Sequence, residues 1–259
     1  FSRISALRKE IENAVNETIA LLKRHRSIRK FKADPIPEDR FTAIIQSAQR
    51  APTSSNMQAY SVIAVTDSDK KKTLAELAGN QAYVAECPVF LVWCADLYRL
   101  KAACEPEGGA DIPASTEIFI IATVDAALAA QNAAIAAESL GLGTVFIGGI
   151  RNNPQQVSDL LGLPELVYPV FGMCLGYPDE EPTQRPRLPM RAVLHYNGYS
   201  DHAYRDSIAE YNEQLRHYML TRKGGGRDTT WSKEMAARLR TNRRLHMKSF
   251  LANRGFFLE

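Results

Sequence analysis

Residues 116–147 read TEIFIIATVDAALAAQNAAIAAESLGLGTVFI. From Thr116 to Leu140 the stretch is Ala-rich and apolar nearly all round, and Gly141 and Gly143 end it. A helix of this kind has to be buried on most sides, so it is expected in the core or at a dimer interface. Thr144-Val-Phe-Ile147 then reads as a short strand rich in β-branched and aromatic residues. A buried helix feeding a strand is the centre around which the other elements have to pack.

On the N-terminal side, Leu7, Ile11, Val15, Ile19 and Leu22 give residues 4–23 helical spacing. Residues 37–51 form a second expected helix, with Pro37 at its start and Phe41, Ile44, Ile45 and Ala48 on one face. Residues 60–66 read as a strand, and 68–78 as a short helix closed by Gly79. Residues 89–95 are apolar on both faces, which places that strand centrally in a sheet. Further on come a helix over 154–161 and a strand over 168–175. A Pro-, Glu- and Arg-rich loop follows over 178–189, and then two polar amphipathic helices over 205–220 and 231–251. Arg222-Lys-Gly-Gly-Gly-Arg227 between those helices reads as flexible. No repeat or change of composition divides the 259 residues, so one large domain is expected.

The composition is 45% hydrophobic and 24% charged with a net charge of +3, too weakly basic to point to nucleic acid. Phe1–Glu10 has charge without an apolar run behind it, so no secretory signal is expected. Asp125, Gln131 and Asn132 argue against a membrane span for the apolar helix. Cys87, Cys94, Cys104 and Cys174 lack Cys-x-x-Cys spacing and read as small hydrophobes in a reducing, cytoplasmic compartment. The five histidines have no metal spacing, and Walker, Gly-x-Ser-x-Gly and His-Glu-x-x-His motifs are absent.

Four segments carry groups suited to a ligand. His25-Arg-Ser-Ile-Arg29 offers two guanidiniums, an imidazole and a hydroxyl, fit for a phosphate and a polar ring edge. Residues 51–58, APTSSNMQ, offer hydroxyls and amides after a helix. Gly148-Gly149 follows the short strand, where backbone N–H groups approach a ligand or make a turn. The glycines at 141 and 143 are no dinucleotide fingerprint, because they follow a helix and Phe146 stands at the third glycine's place. Arg185 and Arg187 sit among stiffening prolines at 186 and 189. Taken singly, each segment reads equally as a solvated turn or surface loop.

Together they are similar to one family. His25-Arg-Ser-Ile-Arg29 with Phe31 and Pro35-Ile-Pro37, followed by the Thr/Ser turn ending in Gln58, resembles the FMN nitroreductases. The runs AAESLGLG (136–143), IGGIRNN (147–153), FGMCLGYP (171–178) and RPRLP (185–189) resemble its larger, NADPH-preferring branch of major nitroreductases and NADPH–flavin oxidoreductases. The likeness runs from about Ile19 to the C-terminus. Arg185 stands where members often have Lys, and Pro52-Thr53 replaces part of a Ser run.

The resemblance implies an α+β fold, a three-layer α/β/α arrangement around a mostly antiparallel sheet, in an intertwined homodimer. Residues 1–18 would be an N-terminal helical extension, and 178–259 a C-terminal loop and helices wrapping the partner. His25, Arg26 and Ser27 would hold the phosphate and ribityl end of FMN, and Arg29 the pyrimidine edge, where it supports the reduced flavin. Thr53, Ser54 and Ser55 would come from the other subunit. Gln81 would contact the ring with Tyr83 nearby, and Ile147, Gly148 and Gly149 would bring backbone to flavin N5. Arg185 and Arg187 would complete the phosphate clamp, while Arg222 and Arg227 would receive the 2′-phosphate of NADPH. No protein acid or base and no metal is implied. The expected activity is ping-pong reduction of nitroaromatics, quinones or free flavin, small aromatic acceptors, by NADPH. The alternative is an FMN-binding sensor or carrier without turnover.

Overall fold

The computed structural model describes residues 16–109, 112, 115–223, 226–241 and 244–256. The helix expected over 4–23 is seen from Glu17 to Lys23 (α1), capped by the Asn16 side chain on the Ile19 N–H; its first part lies outside the described residues. The chain divides into two compact units, one of residues 1–180 and 244–259, the other of residues 181–243.

The larger unit is built on four strands, β1 (Tyr60–Val65), β2 (Val89–Asp96), β3 (Gly143–Ile147) and β4 (Val167–Gly176). They pair antiparallel throughout in the order β1-β2-β4-β3. All eight residues of β2 are buried, as its two apolar faces require. Alternation assigns Phe90, Val92 and Cys94 to one face and Val89, Leu91 and Trp93 to the other. Phe90 lies across Gly172, where a Cβ would stand 2.1 Å from its ring.

Helices cover both faces. On the Phe90 face sit α3 (Ser68–Leu77), α4 (Ala82–Glu86) and α7 (Pro154–Leu161). On the Trp93 face sit α2 (Glu38–Ala48) and α6 (Thr116–Ser139), with α5 (Tyr98–Cys104) following β2. Neither α4 nor α5 stands out in the sequence, because each is too short for a periodic pattern to emerge. Ser115 caps α6 by accepting from the Ile118 N–H. Ala122, Ala126, Ala129, Ala130, Ala133 and Ala137 are fully buried, and their small side chains let α6 lie close on the sheet. The opposite face is left open by the described residues: Ile120, Val124 and Leu128, at four-residue spacing, are 47%, 47% and 39% exposed. By length and composition alone α6 is able to cross a membrane, but it spends one face on the sheet.

The smaller unit contains α8 (Tyr204–Thr221), packed on α9 (Trp231–Leu239). The single helix expected over 231–251 is two. The chain leaves α9 after Leu239, takes a left-handed turn at Arg244 (φ 61°) and restarts as α10 (Met247–Asn253) within the larger unit. Helical spacing persists across the break, so periodicity alone does not reveal it. Arg254 then locks the C-terminal end in place, its guanidinium donating to the carbonyls of Leu163, Pro164 and Val167.

Cys87, Cys94 and Cys174 are buried and Cys104 is half-buried, all as free thiols. Among the described residues no His, Cys, Asp and Glu cluster is able to hold a metal.

Candidate functional site

The segment after α1 is stitched to the sheet. Ile28 N–H donates to the Thr144 carbonyl at 3.0 Å, and Lys32 N–H to that of Tyr177 at 2.9 Å. Short bridges join Ser27 to Thr144 and Phe31 to Pro178. Residues 25–32 therefore run past the start of β3 and the end of β4. Gly143 permits this approach, since a Cβ there would stand 2.6 Å from the Ile28 side chain. Two carboxylates then orient the segment. Glu138, at the end of α6, holds His25 Nδ1 at 2.6 Å, leaving Nε2 for a ligand. Glu180 accepts the backbone N–H groups of Arg29 and Lys30 at 2.5 and 3.1 Å. Arg26 and Ser27 are half-buried and Arg29 is exposed, within electrostatic reach of Cys174.

Gly148 and Gly149 open a tight 3₁₀ turn, Gly148–Asn152, directly after β3. Side chains brace that turn from several directions. Asn153 donates to the Leu77 carbonyl at 2.9 Å, and Arg151 to that of Val170. Arg244 reaches Asn152 Oδ1 at 3.0 Å, and His246 Nε2 meets the Arg151 carbonyl at 3.0 Å. A Cβ on Gly149 would stand 2.2 Å from both the Ala78 carbonyl and Gln81 Nε2, so only glycine fits. The Gln81 amide is engaged at both ends: Nε2 donates to the Ala78 carbonyl at 2.6 Å, and Oε1 accepts from the Tyr83 hydroxyl. Gln81, Tyr83 and Gly149 thus form one cluster. Ile147 points into the core and offers backbone only. Behind Tyr83, Cys174 Sγ faces the Tyr83 carbonyl at 3.5 Å. Burial and the neighbouring Cys87 push the Cys174 thiol up, while a hydrogen bond with Cys174 draws Cys87 down in spite of burial.

Thr53, Ser54 and Ser55 lie elsewhere. Their loop contains a short 3₁₀ turn over Ser54–Asn56 and three non-glycine residues at positive φ, Ser55, Asn56 and Gln58. Asp125, fully buried on α6, accepts the N–H groups of Ser54 and Ala59, each at 3.0 Å. Asp125 and Glu138 stand thirteen residues apart on one helix, roughly 20 Å at about 1.5 Å per residue. One chain therefore places the hydroxyl loop and the basic segment at two well-separated stations along α6.

In the smaller unit, Arg185 lies over the Tyr218 ring at 5.7 Å, and Arg187 Nη1 donates to the Arg185 carbonyl at 3.0 Å. A groove of about 510 Å³ lies between this segment and α8, lined by Arg185, Arg187, Gln214, His217 and Tyr218 among others. Arg222 and Arg227 flank the loop after α8; their N–H groups donate to the Tyr218 and Met219 carbonyls at 2.9 and 3.0 Å. The ends of the loop are thus tied to the helix, and Arg227 also pairs with Glu234.

Sequence reasoning missed three carboxylates: Asp125, Glu138 and Glu180. Only for Asp125 is a signal visible, an acid on the small-residue face of an otherwise uncharged stretch.

An antiparallel four-stranded sheet covered by helices on both faces, with a basic segment clasped at its β3 and β4 edge, defines an α+β protein of the nitroreductase fold. The chain belongs to the nitroreductase family: the family model matches residues 22–177, and that of the family's C-terminal domain matches 185–259. It is 44% identical over 241 residues to an NADPH-flavin oxidoreductase of Vibrio harveyi, covering 93% of this chain and 98% of that one. It is 40% identical over 246 residues to an FMN reductase (NADPH) of Bacillus subtilis, covering 93% and 99%. Among solved structures it is similar to B. megaterium NfrA2, with TM-score 0.91, 40% identity, and coverage of 94% and 99%. It is likewise similar to the V. harveyi NADPH:FMN oxidoreductase complexed with NAD+, with TM-score 0.83, 43% identity, and coverage of 94% and 99%.

Proposed function

We propose that this chain is an NADPH-dependent FMN oxidoreductase, active as a homodimer in the cytoplasm, that reduces nitroaromatics, quinones or free flavin. The observation that carries the reading is the pairing of a clasped basic segment, His25 to Arg29, with a glycine turn at 148–149 that admits no side chain. The donors suit one terminal phosphate and a polar ring edge, and the turn suits a flat ligand pressed against backbone. Relatives named for NADPH-flavin and FMN reduction, matched over more than nine-tenths of both chains, support the same reading.

FMN, when bound, supplies two-electron chemistry at N5, accepting hydride from NADPH and passing electrons to the acceptor. The protein's share is binding and orientation. Glu138 fixes the His25 ring so that Nε2 would be free to hold the phosphate together with Arg26 and Ser27. Arg29, its backbone held by Glu180, sets a fixed positive charge at the pyrimidine edge, favouring the reduced flavin. The braced turn at Gly148 and Gly149 would present backbone to the flavin ring. Gln81, bonded to Tyr83 and to the Ala78 carbonyl, would offer its amide to the ring from the wall of that turn, with Tyr83 nearby. By resemblance, Arg185 and Arg187 would bring positive charge to a phosphate, and Arg222 and Arg227 would receive the 2′-phosphate of NADPH.

The dimer follows from two features. The apolar stripe of Ile120, Val124 and Leu128 needs a cover. The roughly 20 Å between the loop of Thr53 to Ser55 and the basic segment calls for a second chain to bring hydroxyls to the flavin. A dimer contributing both halves carries two equivalent composite sites. The free cysteines suit a reducing compartment.

The test is steady-state kinetics of the FMN-loaded protein with NADPH and a nitroaromatic or quinone acceptor. Parallel initial-rate lines are expected, because one flavin face serves donor and acceptor in turn. Intersecting lines, or an FMN-loaded protein that does not oxidise NADPH with any acceptor, would contradict the proposal.

A further inference from the structure

We infer that Asp125 is the positioning residue for the half-site that each subunit lends to its partner's flavin; the inference rests on the composite dimer proposed above. Asp125 is fully buried in the middle of α6, yet it is a carboxylate among alanines. Its two oxygens are shared out, Oδ1 to the Ser54 N–H and Oδ2 to the Ala59 N–H, both at 3.0 Å. They close the loop between those residues as a clip closes a ring. Inside the clip the backbone is held in an uncommon shape: Ser55, Asn56 and Gln58 have φ of 48°, 57° and 51°. Non-glycine residues keep such conformations only where the surroundings over-determine them. Besides Asp125, the loop is held by short-range turns such as Met57 N–H to the Ser54 carbonyl, by Arg99 on the Gln58 and Tyr60 carbonyls, and by the Asp96 N–H on the Ala59 carbonyl at 2.9 Å. Asp125 ties the loop to α6, the helix whose outer stripe is to meet the second copy.

The chemistry distinguishes Asp from its isosteres. Both donors are backbone N–H groups, so both side-chain atoms have to be acceptors. Asn offers one acceptor and turns an NH₂ group against the other N–H, which loses one bond and opposes a donor with a donor. The hydroxyls of Thr53, Ser54 and Ser55 are thereby aimed by a residue that touches no ligand. Glu138 performs the matching task for His25 in the same chain, thirteen residues further along α6. One helix orients both half-sites, but for two different flavins.

The experiment is subunit complementation. Asp125→Asn chains and Arg29→Ala chains are given different tags, co-expressed, and purified as the two homodimers and the mixed dimer. FMN binding is measured by quenching of flavin fluorescence. Each homodimer is expected to bind FMN at least about tenfold more weakly than the unaltered dimer, the loss of roughly one hydrogen bond to a charged group. The mixed dimer is expected to regain one site of unaltered affinity, since one of its sites then joins an intact basic segment to an intact loop. A misfolding lesion does not permit that recovery. A mixed dimer without a high-affinity site, or an Asp125→Asn homodimer that binds FMN as well as the unaltered protein, would overturn the inference. If Asp125→Asn does not fold, Asp125→Glu takes its place with the same expected outcomes, because the added methylene displaces the loop while the carboxylate remains. Amide exchange at Ser54 and Ala59 is a readout that needs no flavin. Faster exchange in the variant is expected, and unchanged exchange refutes the role. Unaltered protein that takes up no FMN would overturn the flavin reading, and the exchange result would still judge the hold of Asp125 on its loop.

Discussion

At the scale of single residues the site depends on glycine and on carboxylates. Gly149 leaves no room for even one methyl, with the Ala78 carbonyl 2.2 Å from where its Cβ would stand. Gly149→Ala is expected to cost about 1–3 kcal/mol in overpacking and to push the turn toward the ligand. FMN content per chain should fall roughly tenfold, measured by extracting flavin from purified protein; unchanged content would show that the turn does not line the site. In the proposed enzyme Arg222 and Arg227 read the 2′-phosphate of the nucleotide. Arg222→Ala and Arg227→Ala are expected to raise KM for NADPH severalfold while NADH kinetics barely move. Arg227 now pairs with Glu234, an exposed contact worth about 0–1 kcal/mol, so Glu234→Gln should lower KM for NADPH slightly. Equal effects on both nucleotides would refute a role in reading the 2′-phosphate. The glycine turn at 148–149 was legible because a close backbone approach restricts the residue type itself, and the ligand roles proposed for His25 and Arg29 rest on the donors that a phosphate and a ring edge require. Glu138 and Glu180 were not, because a carboxylate's role depends on which backbone or ring the fold brings to it across 113 and 151 residues of chain.

At the scale of elements α6 has two faces and two duties. Its alanines pack on the sheet, and Ile120, Val124 and Leu128 stay exposed, free to meet the proposed second copy. Val124→Glu places a charge in that interface in both copies. The dimer is expected to weaken by roughly a hundredfold or more, measured by sedimentation at micromolar concentration, with flavin lost in parallel. A variant that stays dimeric would mean the stripe is not the interface. The sheet and α10 enclose groups that resist ionisation. Burial pushes the Cys94 thiol up from 9 to about 12, and burial pushes Tyr168 up from 10 to about 12 against a hydrogen bond with Thr123. Both are kept neutral in the folded state. Their contribution to stability is full below pH 9 and is lost as pH rises toward 12. Urea midpoints should fall steeply between pH 9 and 12, and the fall should be shallower in Tyr168→Phe. The strands and α6 were legible because their patterns are long or apolar on both faces. The break between α9 and α10 was hidden, because the left-handed turn at Arg244 is set by tertiary contacts rather than by a proline or glycine.

At the scale of the whole molecule, the apolar face of α6, the loop clipped by Asp125 and the segment clasped by Glu138 have one common explanation. In the proposed dimer two chains meet along α6, each completing a flavin site for the other. The α+β class and the family were legible because several motifs recur in order along nearly the whole chain. The proposed second chain has one physical sign in the sequence, a helix too apolar to stand in water. The measurement that tests the central claim most directly is an anaerobic titration of the purified, FMN-loaded dimer with NADPH, followed in the visible flavin band. The band is expected to bleach with about one NADPH per FMN and to return when a quinone or nitroaromatic is added. A flavin that stays oxidised in excess NADPH would contradict it.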